Sequence, residues 1–235
     1  MFEGLIFDFD GLILETEEPC YRAWLEIYEE FEQPLPIEVW VGCIGRSADY
    51  FDPVPYLENK LGRPLDSEVL RARQRTRYHQ LLDQTPLLPG VMDYVTSAQD
   101  LGLRLAVASS SSSSWVVGHL QRLGLGDVWV SVECWSEGRC AKPEPDLYLA
   151  AIKALGVPAE RAVAFEDSSN GILAAKRAGL LCVAVPNDMT RGLDLSAADL
   201  HLPSLDAVPL PELLEQLRAL QADGNAAELS FAPGA

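Results

Sequence analysis

The chain has 235 residues and 48% hydrophobic content, which is enough to bury one large core or two modest ones and too much for a disordered chain. Its formal net charge of −17 argues against broad contact with nucleic acid or an anionic membrane, since both reward basic patches. That charge still leaves room for a small anion in a locally positive pocket.

The first element is an apolar strand, GLIFDF (4–9), entered without a basic region followed by an apolar one, which predicts no leader segment. Residues 16–88 break the later rhythm. They read as mostly helical, with YRAWLEIYEEF and SEVLRARQRTRYHQLL as the best segments, and return through TPLLPG (85–90). After this insertion, strands and helices alternate. VMDYVTSAQDLG leads to the strand LRLAVA (103–108), VVGHLQRLG to VWVSV (128–132), PDLYLAAIKALG to AVAFE (162–166), and NGILAAKRAG to LCVAVP (181–186).

Continuous apolarity suits strands buried on both faces, and most of the helices close on a glycine. The pattern predicts an α/β fold, a Rossmann-like parallel sheet with right-handed crossovers. The predicted domains are a core of 1–15 and 89–220, a helical insertion of 16–88, and a flexible tail of 221–235. No run of about 18 apolar residues is present, so no membrane span is expected. Cys20, Cys43, Cys134, Cys140 and Cys182 form no CxxC pair, which predicts reduced thiols in a cytoplasmic protein and no structural zinc.

In an open parallel sheet, ligands bind beyond the carboxyl ends of the strands. The first strand delivers Asp8 and Asp10 there, with Gly11 allowing a sharp turn. The second delivers Ser109 and five further serines, and the fourth delivers Glu166 and Asp167; Lys142 stands nearby in AKPEPD. Four carboxylates cannot share a cleft as bare anions, so a hard cation is the natural partner, and magnesium prefers oxygen ligands shared with a phosphate. Ser109 and the amides after it can hold phosphate oxygens at a strand-to-helix turn. The run 109–114 also admits a plainer reading as a linker, weakened by the strand before it and the amphipathic helix after it.

DFDG, AVASS, KPEPDLY and AFEDSSNG, in this order and spacing, resemble the four motifs of the haloacid dehalogenase (HAD) superfamily. The insertion resembles the C1 cap of the subgroup that holds small phosphatases and β-phosphoglucomutase. The resemblance implies that Asp8 is the nucleophile that becomes an aspartyl phosphate, and that Asp10 is the general acid and base. It further implies that Ser109, with Ser110 and Ser111 alongside, binds the transferring group and that Lys142 orients Asp8. Asp8, Asp10 (through its backbone carbonyl), Glu166 and Asp167 are the implied metal side, with Mg2+ as cofactor. Glu166 has an alternative as a buried acid behind the metal.

The chain departs from its relatives at several places. Glu15 stands where Asp is common, with only a structural effect expected. Cys20 stands where the mutase has a histidine, and Ser112 and Ser113 stand where it has a lysine and an asparagine. Arg46, in CIGRSADYF, is a candidate for a second phosphate, and the loop 43–52 is expected to contribute to substrate choice. The single cap lysine, Lys60, is expected to be exposed, which disfavours Schiff-base chemistry.

The three histidines and the run Arg71, Arg73, Arg75 and Arg77 read as solvated or packed. The expected function is a magnesium-dependent phosphatase of a small phosphorylated metabolite, a sugar or polyol phosphate, acting as a monomer or homodimer. The alternatives are a β-phosphoglucomutase-like phosphotransferase and a non-catalytic binding protein; the latter would have lost one of these site residues.

Overall fold

A computed structural model describes residues 1–42, 44 and 51–230. The chain enters β1 (Gly4–Phe7) and leaves the sheet for α1 (Glu17–Glu30), α2 (Ile37–Val41), α3 (Pro53–Leu61) and α4 (Ser67–Leu82). It returns through α5 (Val91–Asp100) to β2 (Arg104–Ser112), α6 (Ser113–Arg122) and β3 (Ser131–Trp135). Then follow α7 (Asp146–Leu155), β4 (Ala162–Glu166), α8 (Ser169–Arg177), β5 (Leu181–Ala184), β6 (Leu200–His201) and α9 (Leu210–Ser230).

The strands form one sheet in the order β3-β2-β1-β4-β5-β6, with every pairing parallel. This is the Rossmann-like α/β architecture that the alternation predicts. Successive side chains of a strand point to opposite faces, so the inner strands β1, β2, β4 and β5 feed two cores. On one face Phe7, Val107 and Phe165 pack with Tyr94 of α5, Leu120 of α6 and Leu213 of α9. On the other, Ile6, Ala106, Ala164 and Ala184 pack with Tyr148 of α7 and Ile172 of α8. The alanines on that second face let α7 and α8 approach the sheet closely. Burial on both faces is why β1 and β4 read as unbroken apolar runs.

The helices α1, α3 and α4 have a core of their own, built on Trp24, Ile27, Tyr28, Val54, Leu57 and Leu70. The outgoing and returning chains meet beside β1. Leu14 bridges both Asp10 and Leu87, and the Leu88 amide donates to the Ile13 carbonyl at 3.0 Å.

Two expectations change. The strand expected at 128–132 lies at Ser131–Trp135. Val128 and Trp129 pack against the core from the preceding turn, while the edge position of β3 lets it carry polar residues such as Glu133. The backbone expected to fray from residue 221 is helical through Ser230. The arginine run lies on a solvated face, as expected, where Arg71 pairs with Asp52 at 2.5 Å, Arg77 with Glu26 at 2.7 Å, and Arg73 with Glu30. Among the described residues, no helix is long and apolar enough to cross a membrane.

Candidate active site

Asp8 directly follows β1, and its amide donates to the Phe165 carbonyl at 3.0 Å, so the sheet itself fixes its position. Ser109 lies in β2 and Glu166 ends β4, which brings all three to the carboxyl edge. Lys142 reaches in from the segment before α7, where its amide donates to Ser110 Oγ at 3.2 Å. Its ammonium donates to Asp8 Oδ1 and, at 2.6 Å, to Glu166 Oε1. The Tyr148 hydroxyl donates to the same Glu166 oxygen at 2.6 Å, and Ser168 Oγ donates to Glu166 Oε2 at 3.1 Å.

Gly11 is needed twice over. Its φ of +84° favours glycine, and a Cβ there would fall 2.1 Å from Asp167 Oδ2. Asp10 turns away from Asp8. Its Oδ2 accepts from Ser111 Oγ at 2.7 Å and Ser109 Oγ at 3.3 Å, and its Oδ1 accepts from the Trp115 indole at 3.0 Å. A cavity of about 520 Å3 opens over these groups, lined by Asp8, Asp10, Ser110, Lys142 and Asp167, with Tyr78 from α4.

Negative charge dominates the floor. Burial, with Glu166 and Asp10 adding repulsion, pushes Asp8 up to about 7 against the pull of Lys142. Burial, then Asp8 and Glu166, hold Asp167 well above the usual carboxylate range. Burial alone would lower Lys142, but Asp8 and Glu166 outweigh it and keep it charged. Asp8, Glu166 and Asp167 each offer an oxygen within 4.8 Å of the others. Buried carboxylates that resist ionisation for want of positive charge fit a hard divalent cation.

A family model described as haloacid dehalogenase-like hydrolase matches residues 2–179. The chain belongs to this family. A Bacillus subtilis protein named "Putative phosphatase YhcW" is 43% identical over 93% of this chain and 99% of its own length. Hexitol phosphatase B of Escherichia coli is 30% identical over 89% of this chain and 95% of its own. The structure of CbbY from Rhodobacter sphaeroides, a mutant in complex with xylulose-(1,5)bisphosphate, covers 88% of this chain and 96% of its own. It matches with a TM-score of 0.66 at 30% identity.

In this haloacid dehalogenase-like hydrolase, Asp8, Asp10, Ser109, Ser110, Ser111, Lys142, Glu166 and Asp167 gather at one edge. The carboxylate of Asp10 stands apart from the other three acids, and Glu166 already accepts from three donors, which favours its reading as the acid that holds Lys142. Arg46 lies outside the described residues. Ser112 caps α6 by accepting from the Trp115 amide at 3.4 Å, and Ser113 is exposed. Glu15 accepts from the Glu17 and Glu18 amides at 2.8 and 3.2 Å, so it caps α1, a structural role as expected. Lys60 is exposed, beside the Tyr56 ring. Burial and Glu17 push the Cys20 thiol up to about 12.

Sequence reasoning missed Trp115, Tyr148 and Asn187. Asn187 donates to the Gly11 carbonyl at 2.8 Å and to Asp167 Oδ2 at 3.1 Å, tying the first turn to Asp167. The available signal was its place just after β5, at the same strand edge that supplies the other residues.

Proposed function

We propose that this hydrolase is a magnesium-dependent phosphatase of a small phosphorylated metabolite, a sugar or polyol phosphate, working through an aspartyl phosphate on Asp8. The observation that carries the reading is the pairing of a buried, sheet-anchored Asp8 with Lys142 on one oxygen, while Asp10 stands two residues on with its carboxylate held at the cavity wall. The named activities of the relatives and the sugar bisphosphate held by CbbY support the substrate class.

In this mechanism Asp8 attacks phosphorus, and Lys142 steadies it and offsets charge on the transferring group. Ser109 and the Ser110 amide cradle the phosphoryl oxygens, with Ser111 alongside. Asp10 gives a proton to the leaving oxygen and later takes one from the water that hydrolyses the acyl phosphate. Magnesium, held by Asp8, Asp167 and the Asp10 carbonyl, would supply electrostatic clamping of the phosphate. Glu166 keeps Lys142 in place. The unpaired cysteines Cys20, Cys134, Cys140 and Cys182 support a cytoplasmic location. The serines at 112 and 113 supply no cationic hold on a second phosphate, which favours hydrolysis over the mutase reaction.

The test is inorganic phosphate release across a panel of sugar, polyol and glycolytic-type phosphates, with magnesium and with chelator. Magnesium-dependent release from a sugar or polyol phosphate is expected. No release, with a hexose 1-phosphate isomerised in the same tubes, would overturn the reading in favour of the mutase.

A further inference from the structure

The Asp10 carboxylate is held by one continuous segment, residues 109–115. Ser109 and Ser111 donate to one oxygen, and the indole of Trp115, in the first turn of α6, donates to the other at 3.0 Å. With both oxygens bound, the plane of the carboxylate is set as well as its position. The Trp115 ring is itself packed on two sides. His119, one turn further along α6, meets it edge-on at 4.5 Å, and Tyr78 stacks on it at 5.9 Å and 21°. His79 approaches the same ring at 6.1 Å. Tyr78 and His79 belong to the C-terminal part of α4, where Tyr78 lines the cavity and packs, near Leu82, against the core of the sheet.

We propose that Trp115 is a positioning residue for Asp10 and that Tyr78 braces it, so that docking of α4 over the cavity seats the proton-transferring carboxylate; the role given to Asp10 rests on the phosphatase reading. A tryptophan suits both tasks. Its single N–H can only donate, so it binds an acceptor such as a carboxylate oxygen. Its flat faces give α4 a surface to register against. When α4 withdraws, the indole loses one wall and Asp10 loses its fixed partner. A shift of the acid by a fraction of its hydrogen-bond length is enough to slow proton transfer to a leaving group.

Two measurements on the full chain test this. In a 15N spectrum the five tryptophans give five indole N–H signals, and that of Trp115 is assigned by its loss in Trp115→Phe. Asp10→Ala is expected to move this signal upfield and speed its exchange with solvent; an unmoved signal overturns the contact. Trp115→Phe keeps a ring against Tyr78 but removes the N–H. It should lower kcat about tenfold with KM held within about twofold. An unchanged kcat, or a loss confined to KM, overturns the positioning role.

Tyr78→Leu should lower kcat and Tyr78→Phe should restore it; equal defects in the two overturn the brace. A wild-type chain inactive on every phosphate of the panel would refute the phosphatase reading instead, and the indole signal would then decide the contact by itself.

Discussion

Lys142 Nζ lies 2.6 Å from Glu166 Oε1, the oxygen that also receives the Tyr148 hydroxyl, and neither charged side chain is more than 6% exposed. A buried ion pair of this kind contributes little net stability when intact and is costly when halved. Glu166→Ala removes one of the two anions that balance Lys142, and should destabilise the fold by about 3–5 kcal/mol in urea unfolding. Glu166→Gln keeps an acceptor for both donors and should cost about 1–2 kcal/mol. Both should lower phosphate release at least about tenfold, since the ammonium is no longer held against Asp8.

Asp8→Asn should abolish phosphate release, a loss beyond about a thousandfold, because the amide is no nucleophile. The fold should survive, since the substitution removes a buried charge and leaves Lys142 paired with Glu166. Circular dichroism together with a turnover assay checks both halves. Substantial remaining turnover would sink the nucleophile assignment.

Asp167 separates metal binding from folding. Its carboxyl is held well above the usual range by burial and by neighbouring anions, so its charge opposes the metal-free fold. Asp167→Asn should therefore leave the metal-free protein as stable or more stable, and should abolish the rise in melting temperature expected when magnesium is added to the wild type. A variant that magnesium stabilises as fully as the wild type would exclude Asp167 as a ligand.

Glu17, at the start of α1 and on the cavity wall, is raised from 4.5 to about 7 by burial, Glu15 and Asp10. A carboxyl with a raised folded-state pKa is least unfavourable while protonated. Its cost grows as pH climbs from 4.5 towards 7 and is complete above that. The N-terminus of α1 offsets part of this, which leaves about 1–2 kcal/mol. Glu17→Gln should raise the melting temperature at pH 8 and leave it unchanged at pH 4. Equal shifts at both pH values would show that packing, not charge, is responsible.

The sheet was readable because β1 and β4 are buried on both faces, and such strands need apolar residues throughout. The gathering of the candidate site was readable for a related reason: Asp8, Glu166 and Asp167 are acids at the ends of those apolar strands, where burial without a partner is costly. β3 escaped because an edge strand tolerates Ser131 and Glu133, so the apolar cluster beside it drew the boundary three residues too early. Trp115 escaped for a different reason. Its use depends on the turn 109–112 bringing α6 alongside Asp10 and on α4 covering the ring, and both are tertiary facts. Tyr148 looked like one more apolar position of α7, since only its hydroxyl, aimed at Glu166, carries the charge network.

The bridge that joins Leu14 to Asp10 on one side and to Leu87 on the other has a mechanical consequence. Asp8 is bolted to the sheet through the Phe165 carbonyl, whereas Asp10 is stitched to the crossing where the chain departs for α1 and comes back from α4. Two residues apart in the chain, the aspartates ride on different supports. A displacement of that crossing would therefore reach Asp10 first, while Asp8 stays tied to β4.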